Sequence, residues 1–169
     1  MRNKKIYLLI GQKGSGKSYI GTIFEKEFEI KFIRVEDYVR HIKKEHDIFD
    51  EIYLKKVFES IEYCIRKELI DTDNIVFEST GLSAYFDKML ESLKKDFQVT
   101  TIGIQAESNN CLSRVKKRDQ SIHINISDDQ VSQINAKVIE RNLLTDFLIY
   151  NEDKSEKDLI NEIQKVIIF

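Results

Sequence analysis

The chain has 169 residues, of which 41% are hydrophobic, and this apolar content is sufficient for one domain with a real core. Lysine and arginine number 27 and aspartate and glutamate 29, so the formal charge of −2 argues against a dedicated nucleic-acid binder, which normally has a basic excess. The 2 cysteines are far apart, no apolar run has membrane-spanning length, and the apolar stretch near the N-terminus is too short for a signal peptide. These features predict a reduced cytoplasmic protein.

Short apolar runs alternate along the chain with longer helical patterns. The predicted strands cover residues 6–10, 31–35, 74–78, 97–105 and 146–150, and the main predicted helices cover residues 18–28, 48–70, 83–95, 109–118, 127–142 and 155–168. This alternation indicates crossover connections, and therefore an α/β domain over residues 1–169 with a parallel sheet and helices on both faces. Ligands of such sheets bind at the carboxyl ends of the strands, so functional residues are expected just after each strand.

The segment after the first predicted strand reads Gly-Gln-Lys-Gly-Ser-Gly-Lys-Ser and matches the phosphate-loop pattern G-x-x-x-x-G-K-[ST]. Glycines let the backbone curl closely around a phosphate, and the N–H groups of the loop and of the following helix form an anion site. Lys17 would place its charge between the β- and γ-phosphates, and Ser18 offers a hydroxyl ligand to Mg²⁺. The predicted nucleotide-binding residues are Gly11, Gln12, Lys13, Gly14, Ser15, Gly16, Lys17, Ser18 and Tyr19.

Two carboxylates, Glu36 and Asp37, follow the second predicted strand. Beside a triphosphate site, either can accept the proton of an acceptor hydroxyl or hold Mg²⁺-bound water. An equally weighted alternative is helix capping, in which Asp37 caps a helix over residues 38–44 and Glu36 is solvated. Arg40 is a nearby cation that would meet an anionic substrate, although an exposed arginine is usually ordinary surface.

The third predicted strand ends in Glu78-Ser79-Thr80-Gly81. An acid in this position orients Mg²⁺-bound water in phosphate-loop enzymes, so Glu78 is predicted to act with Ser18 at the metal. The Ser79 and Thr80 hydroxyls can donate hydrogen bonds to a substrate, and Gly81 permits close backbone approach. The alternative is a strand-to-helix turn with hydroxyl caps.

Arg114 and Arg118 are spaced i, i+4 on the helix after the fourth predicted strand. Two guanidiniums aimed into the cleft would neutralise charge on the phosphoryl group during transfer. Residues 119–126 then form a predicted short lid whose closure excludes water. The alternative is a solvated basic face, because Lys116 and Lys117 adjoin the pair.

Two further polar residues are candidates. Arg141, at the end of the helix over residues 127–142, is a third arginine for an anionic substrate. Asn151 lies in the polar loop after the last strand and either lines the nucleobase pocket or belongs to an ordinary loop.

Together, residues 11–18, the acid pair Glu36-Asp37, and residues 78–81 and 111–118 resemble the small P-loop kinases related to shikimate, gluconate and adenylate kinases. The resemblance implies a three-layer P-loop NTPase fold whose five-stranded parallel sheet has the order 2-3-1-4-5, with a lid at residues 119–126. It also implies ATP and Mg²⁺ as cofactors. Lys17 and an arginine of the lid region would stabilise transfer, and Glu36 or Asp37 would face the acceptor hydroxyl.

The chain departs from shikimate kinases at two motifs. Those enzymes carry Asp-x-Asp after the second strand and a glycine triplet after the third, whereas this chain has Val35-Glu36-Asp37 and Ser79-Thr80-Gly81. The departures argue against shikimate as the acceptor. The sequence therefore predicts an ATP- and Mg²⁺-dependent phosphotransferase for a small metabolite or nucleotide, with no membrane partner. The alternatives are a nucleotide-binding regulatory NTPase that acts through a protein partner and a 5′-hydroxyl polynucleotide kinase.

Overall fold

The computed structural model describes residues 4–39, 42, 50–118 and 126–168. Its strands are β1 (Lys5–Ile10), β2 (Lys31–Ile33), β3 (Asn74–Ser79), β4 (Gln98–Gln105) and β5 (Phe147–Tyr150). Its helices are α1 (Lys17–Phe28), α2 (Val35–Val39), α3 (Glu51–Asp71), α4 (Ala84–Asp96), α5 (Ser108–Lys116), α6 (Asp128–Arg141) and α7 (Glu156–Ile168).

The five strands form one parallel sheet in the order β2-β3-β1-β4-β5, which confirms the predicted α/β class and strand order. In the register of this sheet, Ile10 lies opposite Ser79 of β3 and Gly103 of β4. The carboxyl ends of β1 and β3 are therefore level, and β4 extends two residues further. The loop after β1 and the acid Glu78 near the end of β3 meet at the same edge.

Strand β1 is buried on both faces, and this explains its continuous apolar sequence. Ile6, Leu8 and Ile10 belong to the core cluster that includes residues of α3 and α4. Tyr7 and Leu9 alternate with them and belong to the cluster that includes residues of α1 and α7. Helices thus cover both sides of the sheet.

The helix after β2 differs from the sequence prediction. It begins at Val35, where the carbonyl of Arg34 accepts a hydrogen bond from the Asp37 N–H at 3.0 Å. Asp37 therefore lies inside α2 instead of capping a helix over residues 38–44. The pattern of apolar residues did not reveal this early start, and most of the remainder of that predicted helix lies outside the described residues.

At α6 the predicted serine cap is present. Ser127 accepts a hydrogen bond from the Gln130 N–H, and the Gln130 side chain accepts one from the Ser127 N–H, which completes a capping box. Only Ile126 of the predicted lid is among the described residues. None of the described helices has the length and apolar character that crossing a bilayer requires.

The burial pattern of α3 yields a stability prediction. Ile65 is fully buried, whereas Ile70, on the same helix, is 73% exposed. We expect Ile65→Ala to lower the free energy of unfolding by about 2–5 kcal/mol, because it removes core contacts and leaves a cavity. The matched Ile70→Ala variant should change it by less than about 0.5 kcal/mol. Urea unfolding of both variants measures the difference, and equal losses would contradict this assignment of the core face.

Candidate active site

The loop between β1 and α1 has the backbone conformation of a phosphate-binding loop. Gly14 and Gly16 have φ angles of 87° and 97°, in the left-handed region that side chains disfavour. A Cβ atom at Gly14 would lie 2.1 Å from the Cys111 carbonyl oxygen on α5. Because Gly16 precedes the first residue of α1 and has no side chain, no side-chain cap covers the N-terminal N–H groups of that helix. The loop therefore presents a helix N-terminus suited to an anion.

Lys17 is buried at the start of α1 and lies across the loop. Its Nζ donates hydrogen bonds to the carbonyl oxygens of Gly11, at 3.0 Å, and Gln12, at 2.7 Å. Burial lowers the pKa of the Lys17 ammonium to about 8, because the charged form loses hydration. Glu78 opposes this effect, while the positive charges of Lys13 and Arg118 lower the pKa further. An anion beside Lys17 would raise this pKa back toward its ordinary value.

Ser18 and Glu78 form the predicted hydroxyl and carboxylate pair. Ser18 Oγ donates a hydrogen bond to Glu78 Oε1 at 2.7 Å, which joins the first turn of α1 to the end of β3. Within the described ranges, no cluster of three or more His, Cys, Asp or Glu residues could hold a metal ion. The oxygen pair nevertheless fits Mg²⁺, which commonly takes one or two protein oxygens and completes its shell with water and substrate phosphates.

Two asparagines from distant parts of the chain hold the loop. Asn135 of α6 is 5% exposed; its Oδ1 accepts a hydrogen bond from the Lys13 N–H at 2.8 Å, and its Nδ2 donates one to the Lys13 carbonyl at 3.0 Å. Asn151, after β5, donates from Nδ2 to the Ser15 carbonyl at 2.8 Å. A Cβ at Gly16 would lie 2.0 Å from Asn151 Nδ2, so glycine is needed for this close approach.

Helix α5 supports the loop from a third direction. Gln12 Nε2 donates a hydrogen bond to Ser108 Oγ at 3.1 Å, and Cys111 lies fully buried behind the loop, with its Sγ 3.9 Å from Gln12 Oε1. Burial raises the pKa of the Cys111 thiol, so the side chain stays neutral. Cys111 is thus a packing residue, as expected for a buried cysteine of this kind.

A cavity of about 440 Å³ extends from the loop along the sheet edge. Lys17, Ser18 and Glu78 line it together with Glu36 and Arg118. Asp37, by contrast, is exposed on the outer side of α2. The structure thus brings one acid of the predicted pair to the site, and Glu36 is the candidate that faces an acceptor.

The residues at the end of β3 and just after it occupy different positions. Ser79 and Thr80 line the cavity, and Ser79 Oγ also accepts a hydrogen bond from the Gly81 N–H at 3.1 Å. Gly81 has a φ of 73°, and a Cβ there would lie 2.9 Å from Ile10 Cγ2. Gly81 therefore permits the turn to pack on β1. The helix cap is Ser83, which accepts a hydrogen bond from the Phe86 N–H.

The two predicted catalytic arginines have different surroundings. Helix α5 ends at Lys116, so Arg118 lies beyond it and reaches the cavity near Lys17. Arg114 instead donates from Nη2 to the Asn151 carbonyl at 3.1 Å and lies 3.7 Å from a carboxylate oxygen of Glu152. Its Nη1 is buried without a hydrogen-bond partner in the described part of the chain. The i, i+4 spacing did not predict this separation, because the helix ends between the two residues.

Two of the remaining predicted site residues have partners outside the cavity of about 440 Å³. Arg141 forms an ion pair with Asp87 and lies in a second cavity of about 340 Å³. Tyr19 is 46% exposed and its hydroxyl donates to Glu156 on α7. Arg40 lies outside the described residues.

Asn135 is a site residue that the sequence analysis missed. Val131, Ile134 and Val138 mark the apolar face of α6, and Asn135 takes the i+4 position of that face. An asparagine in a core-facing position needs a hydrogen-bond partner. A polar residue on this apolar face was the signal that could have identified Asn135. The sequence does not show which backbone groups its side chain bonds.

A phosphate loop at the central strand of a 2-3-1-4-5 parallel sheet, with an acid at the end of the neighbouring strand, defines a small P-loop kinase. The family model for shikimate kinase matches residues 13–168. The chain belongs to the shikimate kinase family and is a P-loop phosphotransferase.

Two sequence relatives agree with this assignment. A shikimate kinase of Clostridium botulinum (strain Alaska E43 / Type E3) is 30% identical over 118 residues, which cover 59% of this chain and 69% of the relative. One from the Eklund 17B / Type B strain is 35% identical over 98 residues, and the aligned part spans 57% of each chain. The structure of shikimate kinase from Acinetobacter baumannii in complex with shikimate has a TM-score of 0.68 at 13% identity, covering 98% of this chain and 93% of that one. That structural likeness concerns the fold.

The lowered pKa of Lys17 predicts a pH-dependent nucleotide affinity. Below about pH 8 the ammonium is already charged, whereas above it a bound polyphosphate must first draw a proton onto Lys17. We expect affinity for Mg²⁺·ATP to fall by up to about tenfold per pH unit above pH 8. Calorimetry at pH 9 in two buffers of different ionisation heat should register proton uptake, and at pH 7.5 much less. Affinity that stays constant from pH 7.5 to 9.5 would contradict the assignment.

The double hydrogen bond of Asn135 predicts a role in shaping the loop. Asn135→Leu leaves the Lys13 N–H and carbonyl without this partner, so we expect nucleotide affinity to fall by about tenfold or more. Asn135→Asp retains the acceptor for the Lys13 N–H and should lose less. Gln133→Leu, at an exposed position of the same helix, is the matched control. Unchanged affinity in a folded Asn135→Leu variant would show that the loop holds its shape without this contact.

Proposed function

We propose that this protein is an ATP- and Mg²⁺-dependent kinase that phosphorylates a hydroxyl group of a small metabolite. One observation carries the proposal: a single cavity joins Lys17 and Ser18 of the phosphate loop to Glu36 of α2 and Glu78 of β3. The cavity thereby provides a place for a polyphosphate and, next to it, space for an acceptor.

Nucleotide binding would use the loop backbone and its neighbours. The N-terminus of α1 and the glycine conformations favour the β-phosphate, and Lys17 would exchange its loop carbonyls for phosphate oxygens. The buried, unpartnered Nη1 of Arg114 is a donor suited to an acceptor atom of the nucleotide. Ser18 and Glu78 would hold Mg²⁺ and its water, and the ion would neutralise charge on the phosphate oxygens.

Transfer would rest on positioning and on charge. The acceptor oxygen attacks the γ-phosphorus while the bond to the β–γ bridging oxygen breaks, and ADP leaves. Glu36 takes the proton of the acceptor hydroxyl, since its side chain lines the cavity. Lys17 and Arg118 lie where charge accumulates on the transferred group and stabilise it.

An acceptor screen tests the proposal against the regulatory alternative. The full chain is incubated with Mg²⁺·ATP and a metabolite panel, and ADP release is measured with Lys17→Ala as the inactive control. A kinase releases ADP faster with its acceptor than without one. Stimulation by a protein partner alone would instead support a regulatory NTPase.

The positions of the two acids yield a further prediction. Glu36→Gln removes the carboxylate that faces the cavity, so acceptor-dependent turnover should fall by about 100-fold or more, whereas nucleotide affinity should change little. Asp37→Asn changes the adjacent exposed carboxylate and should retain nearly full turnover. If Asp37→Asn is the impaired variant, the acid roles are reversed.

A further inference from the structure

The cavity has one wall that is almost entirely apolar. Five side chains from one face of α3 form most of it: Tyr53, Leu54, Val57, Phe58 and Ile61. Their spacing of three and four residues places them together on the helix. Burial raises the pKa of Tyr53, so the phenol on this wall stays neutral.

Helices α2 and α4 add further apolar side chains to the cavity lining. Val35 and Val39 of α2 and Met89 of α4 also line the cavity, and Val39 and Met89 are buried. Among the described residues of α2, α3 and α4, Glu36 is the one charged residue that lines the cavity, and its charge is negative.

Most of the described cations that line the cavity lie at its phosphate-loop end. Lys13 and Lys17 belong to the phosphate loop, and Arg118 is near enough to Lys17 to lower its pKa. Lys137 of α6 is the fourth described cation that lines the cavity. Three of these four described cations therefore lie beside the place of the polyphosphate.

We propose that the acceptor is an uncharged alcohol with an apolar or aromatic body. This inference rests on the proposed kinase function and narrows its substrate class. The hydroxyl would lie beside Glu36, where its proton is taken, and the body would pack on the α3 wall. The volume of about 440 Å³ lies within the range of about 300–1,000 Å³ that small-molecule sites occupy.

An anionic acceptor fits this wall poorly. A carboxylate buried against α3 would lose its hydration without gaining a cation from the described residues of α2, α3 and α4, and such a loss is costly. It would also lie near Glu36, which repels it. Shikimate is a carboxylate, so the wall chemistry agrees with the motif departures that argue against it as the acceptor.

The decisive experiment compares two groups of acceptors on the full chain with Mg²⁺·ATP. The apolar group is cyclohexylmethanol, benzyl alcohol, 2-phenylethanol and geraniol, and the polar group is shikimate, quinate, gluconate and glycerol. ADP release and the phosphorylated product are both measured. We expect at least one apolar alcohol to raise ADP release about tenfold or more above background, and the polar group to leave it unchanged.

A wall variant tests where the acceptor binds. Leu54→Arg places a cation on the wall and should raise KM for the active alcohol at least about tenfold, with unchanged affinity for Mg²⁺·ATP. Ile52→Arg makes the same change at a position of α3 that is 65% exposed, and it should leave both values unchanged. If Leu54→Arg does not fold, Leu54→Ala should raise KM in the same direction. An unchanged KM in every Leu54 variant that folds would overturn the inference.

The outcomes separate the two proposals. Stimulation by a polar acceptor and by no apolar alcohol overturns the acceptor class and supports the kinase function. Absence of stimulation by either group, in protein that binds Mg²⁺·ATP, overturns both proposals. Product formed from an apolar alcohol, with the KM response of the Leu54 variants, supports both.

Discussion

The site depends on a glycine-containing loop that other parts of the chain hold in place. Gly14 and Gly16 adopt left-handed conformations, and the backbone around them is fixed by hydrogen bonds from Asn135 and Asn151. These partners lie 122 and 136 residues away from their contacts along the chain. The hydrogen bonds that hold the loop are therefore complete only when α6 and the segment after β5 have packed, so the anion site draws on distant parts of the fold.

The same packing decides how charge is distributed in the cavity. The sheet register brings Glu78 next to the loop, and burial of Lys17 makes its charge costly until an anion arrives. Cations gather around the polyphosphate position, Glu36 lies on α2, and α3 supplies apolar side chains. The two ends of the cavity therefore suit two different ligands. The phosphate-loop end suits an anion, and the α3 wall suits a much less polar molecule.

Local patterns predicted the fold well because each acts over short distances. Alternation of apolar runs and helical periodicity identified the strands and helices, and the spacing of the phosphate loop located Lys17 and Ser18. The remaining assignments depended on contacts between distant segments. The sequence does not distinguish Glu36 from the adjacent Asp37 as the acid that faces the acceptor hydroxyl. Because α2 starts early, only Glu36 lines the cavity. Likewise, Arg141 has an ion-pair partner in Asp87, 54 residues away, that no local pattern indicates.

The position of Cys111 has a practical consequence. Its thiol is sealed beneath the glycine turn, whereas Cys64 on α3 is only partly covered. A thiol reagent can modify Cys111 only during moments when α5 separates from that turn. The rate at which this sulfur is labelled therefore reports how often α5 and the turn separate. Any ligand that holds the turn closed should slow the labelling.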